Sequence, residues 1–113
     1  MTVTIYHNPR CSKSRQTLEL LRENGVEPTI VDYLETPPSA SELTAILAKL
    51  GKSAAELVRK NEAAEEGIDV ANLDNDSLIE ALVAHPRALE RPIVVKGDKA
   101  AVGRPPESVL GIL

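Results

Sequence analysis

Phenylalanine and tryptophan are absent from this 113-residue chain, and tyrosine occurs only as Tyr6 and Tyr33. A hydrophobic core must therefore be built almost entirely from leucine, isoleucine, valine and alanine. The length fits one domain and leaves little room for a second. A chain of this size can bury an independent core without disulfide or metal cross-links.

Basic residues are outnumbered, because 13 lysines and arginines stand against 17 aspartates and glutamates, for a formal net charge of −4. Nucleic-acid-binding domains usually carry a basic excess, so we expect no nucleic-acid partner. A local group of arginines can still bind a small anion on an acidic protein. No apolar run approaches the roughly 18 to 20 residues of a membrane span, and the start of the chain lacks the pattern of a signal peptide. We therefore expect no membrane association.

Cys11 is the only cysteine in the chain. An intramolecular disulfide is therefore excluded, and the composition favours a reducing compartment, which predicts a cytoplasmic protein. We expect neither a bound cofactor nor a metal.

Hydrophobic periodicity and the placement of glycine and proline predict a series of short elements. These are a strand at 2–7, a loop at 8–10, a helix from Ser12 to Asn24-Gly25, a strand at 29–33, a helix capped by Ser39 or Ser41 and ended by Gly51, a short helix at about 53–59, a loop or loose helix at 61–72, a helix capped by Asn75 or Asp76 that ends near His85, strands at 92–95 and 99–102, and a final helix beginning at Pro105-Pro106. Glu42 follows Ser39 by three residues, as in a capping box. Gly97-Asp98 is a two-residue hairpin signal.

The order of these elements predicts the fold. A strand, a helix and a second strand joined by a short crossover indicate parallel strands. The later hairpin indicates an antiparallel pair. We therefore predict the α/β class and a thioredoxin-like fold, in the order β-α-β … β-β-α with a mixed four-stranded sheet. A single domain would cover residues 1–113, with an all-helical insertion at about 39–86 between the second and third strands.

The residues around Cys11 predict a reactive thiolate. Cys11 lies where the first strand passes into a helix, and the free N–H groups and dipole of a helix start favour negative charge. Arg10, Lys13 and Arg15 add positive charge nearby in the sequence. Both effects lower a thiol pKa, and the same position suits a bound oxyanion. The alternative is a buried, inert cysteine, which the charged and polar flanks argue against.

Two neighbours are candidates for supporting the thiolate. Cys11 and Ser14 form a C-x-x-S pattern, which places the Ser14 hydroxyl one helical turn away as a hydrogen-bond donor; the alternative is an ordinary first-turn residue. A serine cannot form a disulfide, so an oxidised Cys11 must be reduced by an external thiol. His7 is the second candidate, and the alternative is a histidine that only ends the strand.

Several motifs in order along nearly the whole chain resemble the glutaredoxin-coupled arsenate reductase family, in its compact arsenate-reductase-related branch. They are Tyr6-His7-Asn8-Pro9 with Cys11, Tyr33–Pro38, Leu57–Asn61, Arg91–Val95 and Gly103–Pro106. The resemblance implies a thioredoxin-like fold with a helical insertion.

The resemblance also implies that three arginines bind arsenate, at Arg59, Arg91 and Arg104. Guanidinium groups stay charged and match the oxygens of a tetrahedral oxyanion. By analogy with thioredoxin-like folds, Pro92 is expected to follow a cis peptide bond, with Arg91 facing Cys11. Arg59 has the alternative of being a solvated helix residue.

The function implied by the resemblance is reduction of arsenate to arsenite, with Cys11 as the nucleophile, glutathione as co-substrate, glutaredoxin as partner and a monomeric protein. One alternative is a general glutathione-dependent thiol oxidoreductase, although a disulfide substrate needs no oxyanion-binding arginines. Another is an Spx-like regulator that binds RNA polymerase. The redox-switched members of that group carry C-x-x-C, whereas this chain has C-x-x-S.

Overall fold

A computed structural model of the protein describes residues 2–113. Four strands form one mixed sheet in the order β2-β1-β3-β4, with β1 parallel to β2 and antiparallel to β3, and β3 antiparallel to β4. The strands are β1 (Val3–His7), β2 (Thr29–Asp32), β3 (Ile93–Lys96) and β4 (Lys99–Val102), and the helices are α1 (Ser12–Glu23), α2 (Ala40–Leu50), α3 (Lys60–Glu65) and α4 (Asn75–Ala84), with 3₁₀ helices at Ala54–Leu57, Pro86–Ala88 and Pro106–Ile112. This architecture confirms the predicted α/β fold with its mixed four-stranded sheet.

The chain forms two compact units. The sheet unit comprises the chain up to Thr36 together with Arg91–Leu113, and the helical unit is Pro37–Glu90. The predicted all-helical insertion at about 39–86 falls within the helical unit.

The core of the sheet unit is aliphatic, as the composition requires. Val3 and Ile5 of β1, Leu21 of α1, Val94 of β3 and Val109 form its buried cluster. On β1 the buried positions alternate with partly exposed ones, which is the period-two pattern of a strand that presents one face to a core.

Strand β2 ends at Asp32, one residue before the predicted end. The Asp32 carboxylate accepts a hydrogen bond from the Leu34 backbone N–H at 3.1 Å, and the Asp32 carbonyl accepts from Thr36 N at 2.8 Å. These bonds turn the chain and end the ladder. Tyr33 therefore lies in a turn directly after β2, and its side chain is fully buried.

The predicted hairpin at Gly97-Asp98 is present. Gly97 has a φ of 61°, a left-handed conformation that glycine adopts without a steric penalty. Lys96 and Lys99 pair directly across this turn. Strand β3 runs from 93 to 96, one residue later than predicted.

The caps of the helical unit match the prediction in one helix and differ in another. Helix α2 has Ser39 as its N-cap with a reciprocal capping box to Glu42, as predicted. Helix α4 is capped by Asp74, whose carboxylate accepts from Ser77 N at 2.8 Å, so the predicted caps Asn75 and Asp76 are wrong. The Asn75 side chain instead accepts from Ala54 N at 2.9 Å.

Three other segments differ from the prediction in helix type or in length. The short helix at about 53–59 is a 3₁₀ helix at Ala54–Leu57, and the loose segment at 61–72 overlaps α3. The final segment is a 3₁₀ helix at Pro106–Ile112, which buries Val109 in the core of the sheet unit. Across residues 2–113, none of the helices combines the length and the apolar character that a bilayer span requires.

Candidate active site

Cys11 lies at the N-cap position of α1, at the end of the loop that follows β1. Its backbone N–H donates to the Asn8 carbonyl at 3.0 Å, and its own carbonyl accepts from Arg15 N at 3.0 Å. The loop and the first turn of the helix therefore both fix the cysteine backbone. The residue as a whole is partly exposed.

The environment of the Cys11 sulfur favours the thiolate. Burial raises the pKa of the thiol, but the backbone N–H groups of Ser14 and Lys13, the side chain of Arg91 and the charge of Arg104 outweigh it, and the pKa lies below its ordinary value. The N–H groups that face the sulfur belong to the first turn of α1, where the helix dipole also favours negative charge.

Two arginines from separate loops of the sheet unit meet at the sulfur. The Arg104 Nη2 atom lies 3.5 Å from Cys11 Sγ, and Arg104 Nε donates to the Arg91 carbonyl at 2.8 Å. The Arg91–Pro92 and Arg104–Pro105 peptide bonds are both cis. The expected cis bond before Pro92 is therefore confirmed, and the second one was not predicted.

Gly103 allows these two loops to approach each other. Its N–H donates to the Pro92 carbonyl at 2.9 Å. A Cβ at this position would lie 2.5 Å from Thr17 Oγ1 and 2.8 Å from Pro92 Cγ, distances that side chains do not adopt. The absence of a side chain at 103 thus brings Arg104 towards α1 and Cys11.

His7 at the end of β1 and Ser14 in the first turn of α1 form a buried pair. His7 Nδ1 and Ser14 Oγ are 2.6 Å apart, and the same hydroxyl oxygen accepts from Asn8 N at 3.0 Å. The sequence assigned this hydroxyl to the Cys11 thiolate, whereas the structure directs it to His7 and Asn8. Ser14 instead acts on the sulfur through its backbone N–H. The hydrogen bond between Ser14 and His7 ties this first turn of α1 to the end of β1.

Burial also lowers the pKa of His7. The Asp32 carboxylate opposes this effect, and the charges of Arg15 and Arg22 add to it. Burial therefore favours the neutral imidazole over the charged form. In the tautomer protonated at Nε2, the Ser14 hydroxyl donates its proton to Nδ1.

Tyr33 is a residue of this region that the sequence analysis missed as a functional candidate. It is fully buried, which raises the pKa of its hydroxyl. Arg91 and Asn8 act to lower that pKa, and the charge of Cys11 acts to raise it. The available signal was its place at the start of the motif Tyr33–Pro38, at the end of the predicted strand 29–33.

Arg59, the third predicted anion-binding arginine, belongs to the helical unit. Its Nε donates to the Glu62 carboxylate at 2.5 Å, and its Nη1 donates to the Glu90 carboxylate at 3.2 Å. Burial lowers the pKa of Arg59, but the two carboxylates outweigh it and the pKa is raised. The guanidinium is therefore permanently charged and already paired with two anions.

Together, Arg91 and Arg104 place positive charge beside the Cys11 thiol, whose pKa is lowered. A thiolate at a helix start can attack an electrophilic centre, while guanidinium groups hold oxygens that carry negative charge. Within residues 2–113, no cluster of three or more His, Cys, Asp or Glu side chains is placed to hold a metal ion.

A mixed four-stranded sheet, a cysteine at the start of the first helix and a cis-proline loop beside it define a thioredoxin-like thiol protein. Residues 6–112 match the model of the ArsC family, and the chain belongs to that family. The arsenate reductase of Neisseria meningitidis serogroup B is 50% identical over 98% of this chain and 97% of its own length. The uncharacterised protein YfgD of Escherichia coli strain K12 is 54% identical over 98% of this chain and 96% of its own. The solved structure of the arsenate reductase from Vibrio cholerae matches with a TM-score of 0.94 at 45% identity, over 100% of this chain and 98% of that one.

Proposed function

We propose that the protein reduces arsenate to arsenite, with Cys11 as the nucleophile and with glutathione and glutaredoxin as the source of electrons. The observation that carries this proposal is the contact of 3.5 Å between Arg104 Nη2 and the Cys11 sulfur, with Arg91 beside it. A guanidinium at this distance can hold an oxygen of the substrate while the thiolate attacks the central atom. The names of the similar proteins from Neisseria and Vibrio support arsenate as that substrate.

The chemistry begins with attack of the Cys11 thiolate on arsenic(V), and an arsenate oxygen leaves as water after protonation. Arg91 and Arg104 offset the negative charge of the remaining oxygens in the transition state. Glutathione then attacks the Cys11 sulfur of the adduct: an S–S bond forms, the S–As bond breaks with its electron pair left on arsenic, and arsenite leaves. Glutaredoxin with a further glutathione reduces the mixed disulfide and restores the Cys11 thiol. Overall, two thiols are oxidised to one disulfide, arsenic(V) is reduced to arsenic(III), and one water is released for each arsenate.

External thiols are required because Cys11 is the only cysteine in the chain. Glutathione and glutaredoxin fill this role in the proposal, which places the reaction in a reducing compartment such as the cytoplasm. The buried His7 and Ser14 support the thiolate indirectly, by fixing the helix start whose N–H groups face the sulfur.

Arg59 is the third oxyanion-binding residue of the proposal. Its guanidinium is held by the carboxylates of Glu62 and Glu90. An anion that binds Arg59 must therefore compete with these carboxylates or share the guanidinium with them. We expect Arg59→Ala to raise the KM for arsenate by a smaller factor than Arg104→Ala.

The test is a coupled assay that follows NADPH oxidation with arsenate, glutathione, glutaredoxin and glutathione reductase. We expect turnover with the wild-type protein, none with Cys11→Ser, and strongly reduced kcat/KM with Arg91→Ala and Arg104→Ala. Arg87→Ala is the matched control, because this exposed arginine pairs with glutamates of the helical unit and should retain wild-type activity.

No wild-type turnover above the Cys11→Ser background would refute the proposal. Faster turnover of a glutathionylated peptide than of arsenate would instead indicate a general thiol oxidoreductase. Turnover with thioredoxin and thioredoxin reductase, but not with glutathione, would refute only the choice of electron donor.

A further inference from the structure

Tyr33 occupies a position that the strand register places beside the cysteine-bearing loop. His7 pairs with Asp32 in the parallel ladder of β1 and β2, so the next residues, Asn8 and Tyr33, leave the sheet side by side. Tyr33 is 0% exposed. Among residues 2–113, no group meets full hydrogen-bond geometry with its buried hydroxyl, although Asn8 and Arg91 lie near enough to act on its pKa.

The groups around this hydroxyl belong to the proposed anion site. Burial raises the pKa of Tyr33, and the Arg91 guanidinium and the Asn8 side chain oppose that rise without reversing it. The Asn8 Oδ1 atom already accepts from Arg10 N at 3.0 Å, so the Nδ2 group is the donor that Asn8 can offer to the phenol. Because its pKa is raised, the Tyr33 phenol remains uncharged at neutral pH.

An uncharged partner has a specific consequence for Arg91. A carboxylate beside a guanidinium neutralises it, as Glu62 and Glu90 do for Arg59. A phenol can accept a hydrogen bond from a guanidinium and leave its positive charge for a bound anion. A buried hydroxyl with incomplete hydrogen bonds also costs free energy, and such costs are typical of functional sites.

We propose that Tyr33 is a positioning residue of the oxyanion site. Its buried hydroxyl supports the Arg91 guanidinium, and the hydrogen bonds of that hydroxyl are completed when an anion binds beside Cys11. This inference rests on the function proposed above. Tyr33 does not touch the anion itself, because its hydroxyl is buried. It acts through the direction and charge of Arg91.

The test is Tyr33→Phe, which removes the hydroxyl and keeps the ring. Anion binding is measured without turnover, as protection of Cys11 from alkylation by iodoacetamide during titration with sulfate or with arsenate. We expect the apparent dissociation constant to rise by about tenfold, equivalent to about 1.4 kcal/mol. We also expect the Tm without anion to be unchanged or higher, because the variant no longer buries an incompletely bonded hydroxyl.

Two further backgrounds separate positioning from a general structural effect. In Arg91→Ala, adding Tyr33→Phe should weaken anion protection no further, because the residue through which Tyr33 acts is absent. In Arg104→Ala, the loss of about tenfold should persist, as expected for one hydrogen bond to a charged group. Equal losses in the two backgrounds would overturn the assignment.

A lowered Tm with unaltered anion affinity in Tyr33→Phe would likewise overturn it, by showing a merely structural role. If sulfate and arsenate protect the wild type and Tyr33→Phe equally, the Tyr33 inference fails and the proposed function stands. If neither anion protects the wild type, both fail.

Discussion

Replacing Gly103 with alanine is expected to destabilise the protein, because the loop at this position has no room for a Cβ. The added atom would lie 2.5 Å from Thr17 Oγ1 and 2.8 Å from Pro92 Cγ. Ordinary contact begins at about 3.4 Å, so these neighbours must retreat by about 0.9 and 0.6 Å. Thr17 is fully buried and its hydroxyl donates to Lys13 O at 2.8 Å, so it cannot retreat without losing that bond.

The size of the effect follows from these contacts. Overpacking of a buried site costs about 1–3 kcal/mol, and loss of the hydrogen bond of 2.9 Å from Gly103 N to Pro92 O adds about 1 kcal/mol. We expect a loss of about 2–4 kcal/mol, which lowers the Tm by roughly 8–15 °C in a domain of this size. Arg104 follows Gly103 directly, so the variant should also slow alkylation of Cys11.

Thermal and urea denaturation followed by circular dichroism measure the loss of stability. Gly111→Ala is the matched control: a Cβ there meets nothing within 4 Å, so its Tm should stay within about 2 °C of wild type. The variant Thr17→Ala removes two of the three crowded contacts, and Gly103→Ala should cost less in that background. An effect as small as that of Gly111→Ala, or equal costs in both backgrounds, would refute the reasoning.

Three further predictions concern other parts of the molecule. Arg104→Gln should raise the pKa of Cys11 and slow its alkylation at pH 7 by about fivefold at low salt, since unit charges this close interact by about 1 kcal/mol even in water; an unchanged rate would contradict the contact. The pKa of His7 in the folded protein lies below the 6.5 of the unfolded chain, so its contribution to stability should be complete above pH 6.5 and be lost as the pH falls through the folded-state value. Urea midpoints between pH 8 and 5 test this, and His7→Gln should remove that part of the pH dependence. Ser39→Ala breaks the capping box with Glu42 and should cost about 1 kcal/mol by urea denaturation, whereas Ser39→Asp should cost little.

Features set by neighbouring residues were predictable from the sequence. Ser39 and Glu42 of the capping box are three positions apart, and the hairpin turn consists of the two residues Gly97 and Asp98. Each feature is therefore specified locally. Similarly, the expectation of a lowered Cys11 pKa followed from its place at a strand-to-helix junction, and the structure agrees with it. Analogy with thioredoxin-like folds supplied the cis bond before Pro92, which no local pattern contains.

Features set by distant partners were not predictable. Arg59 and Glu90 are 31 residues apart, and nothing in either segment announces their ion pair. The sequence did not reveal the partner of the Ser14 hydroxyl, which in the structure is the buried ring of His7. Tyr33 gained its surroundings only when β2 paired with β1, because the register of that pair sets the residue beside Asn8.

Two sources of positive potential meet at Cys11: backbone N–H groups at the start of α1 and the side chains of two arginines. They differ in how a substitution can change them. The N–H groups of Ser14 and Lys13 belong to the main chain, so exchanging those side chains leaves the donors in place. Arg91 and Arg104 are side chains and can be replaced one at a time. Replacing either arginine therefore removes one part of the positive potential at the Cys11 sulfur, while the part that the main chain supplies remains.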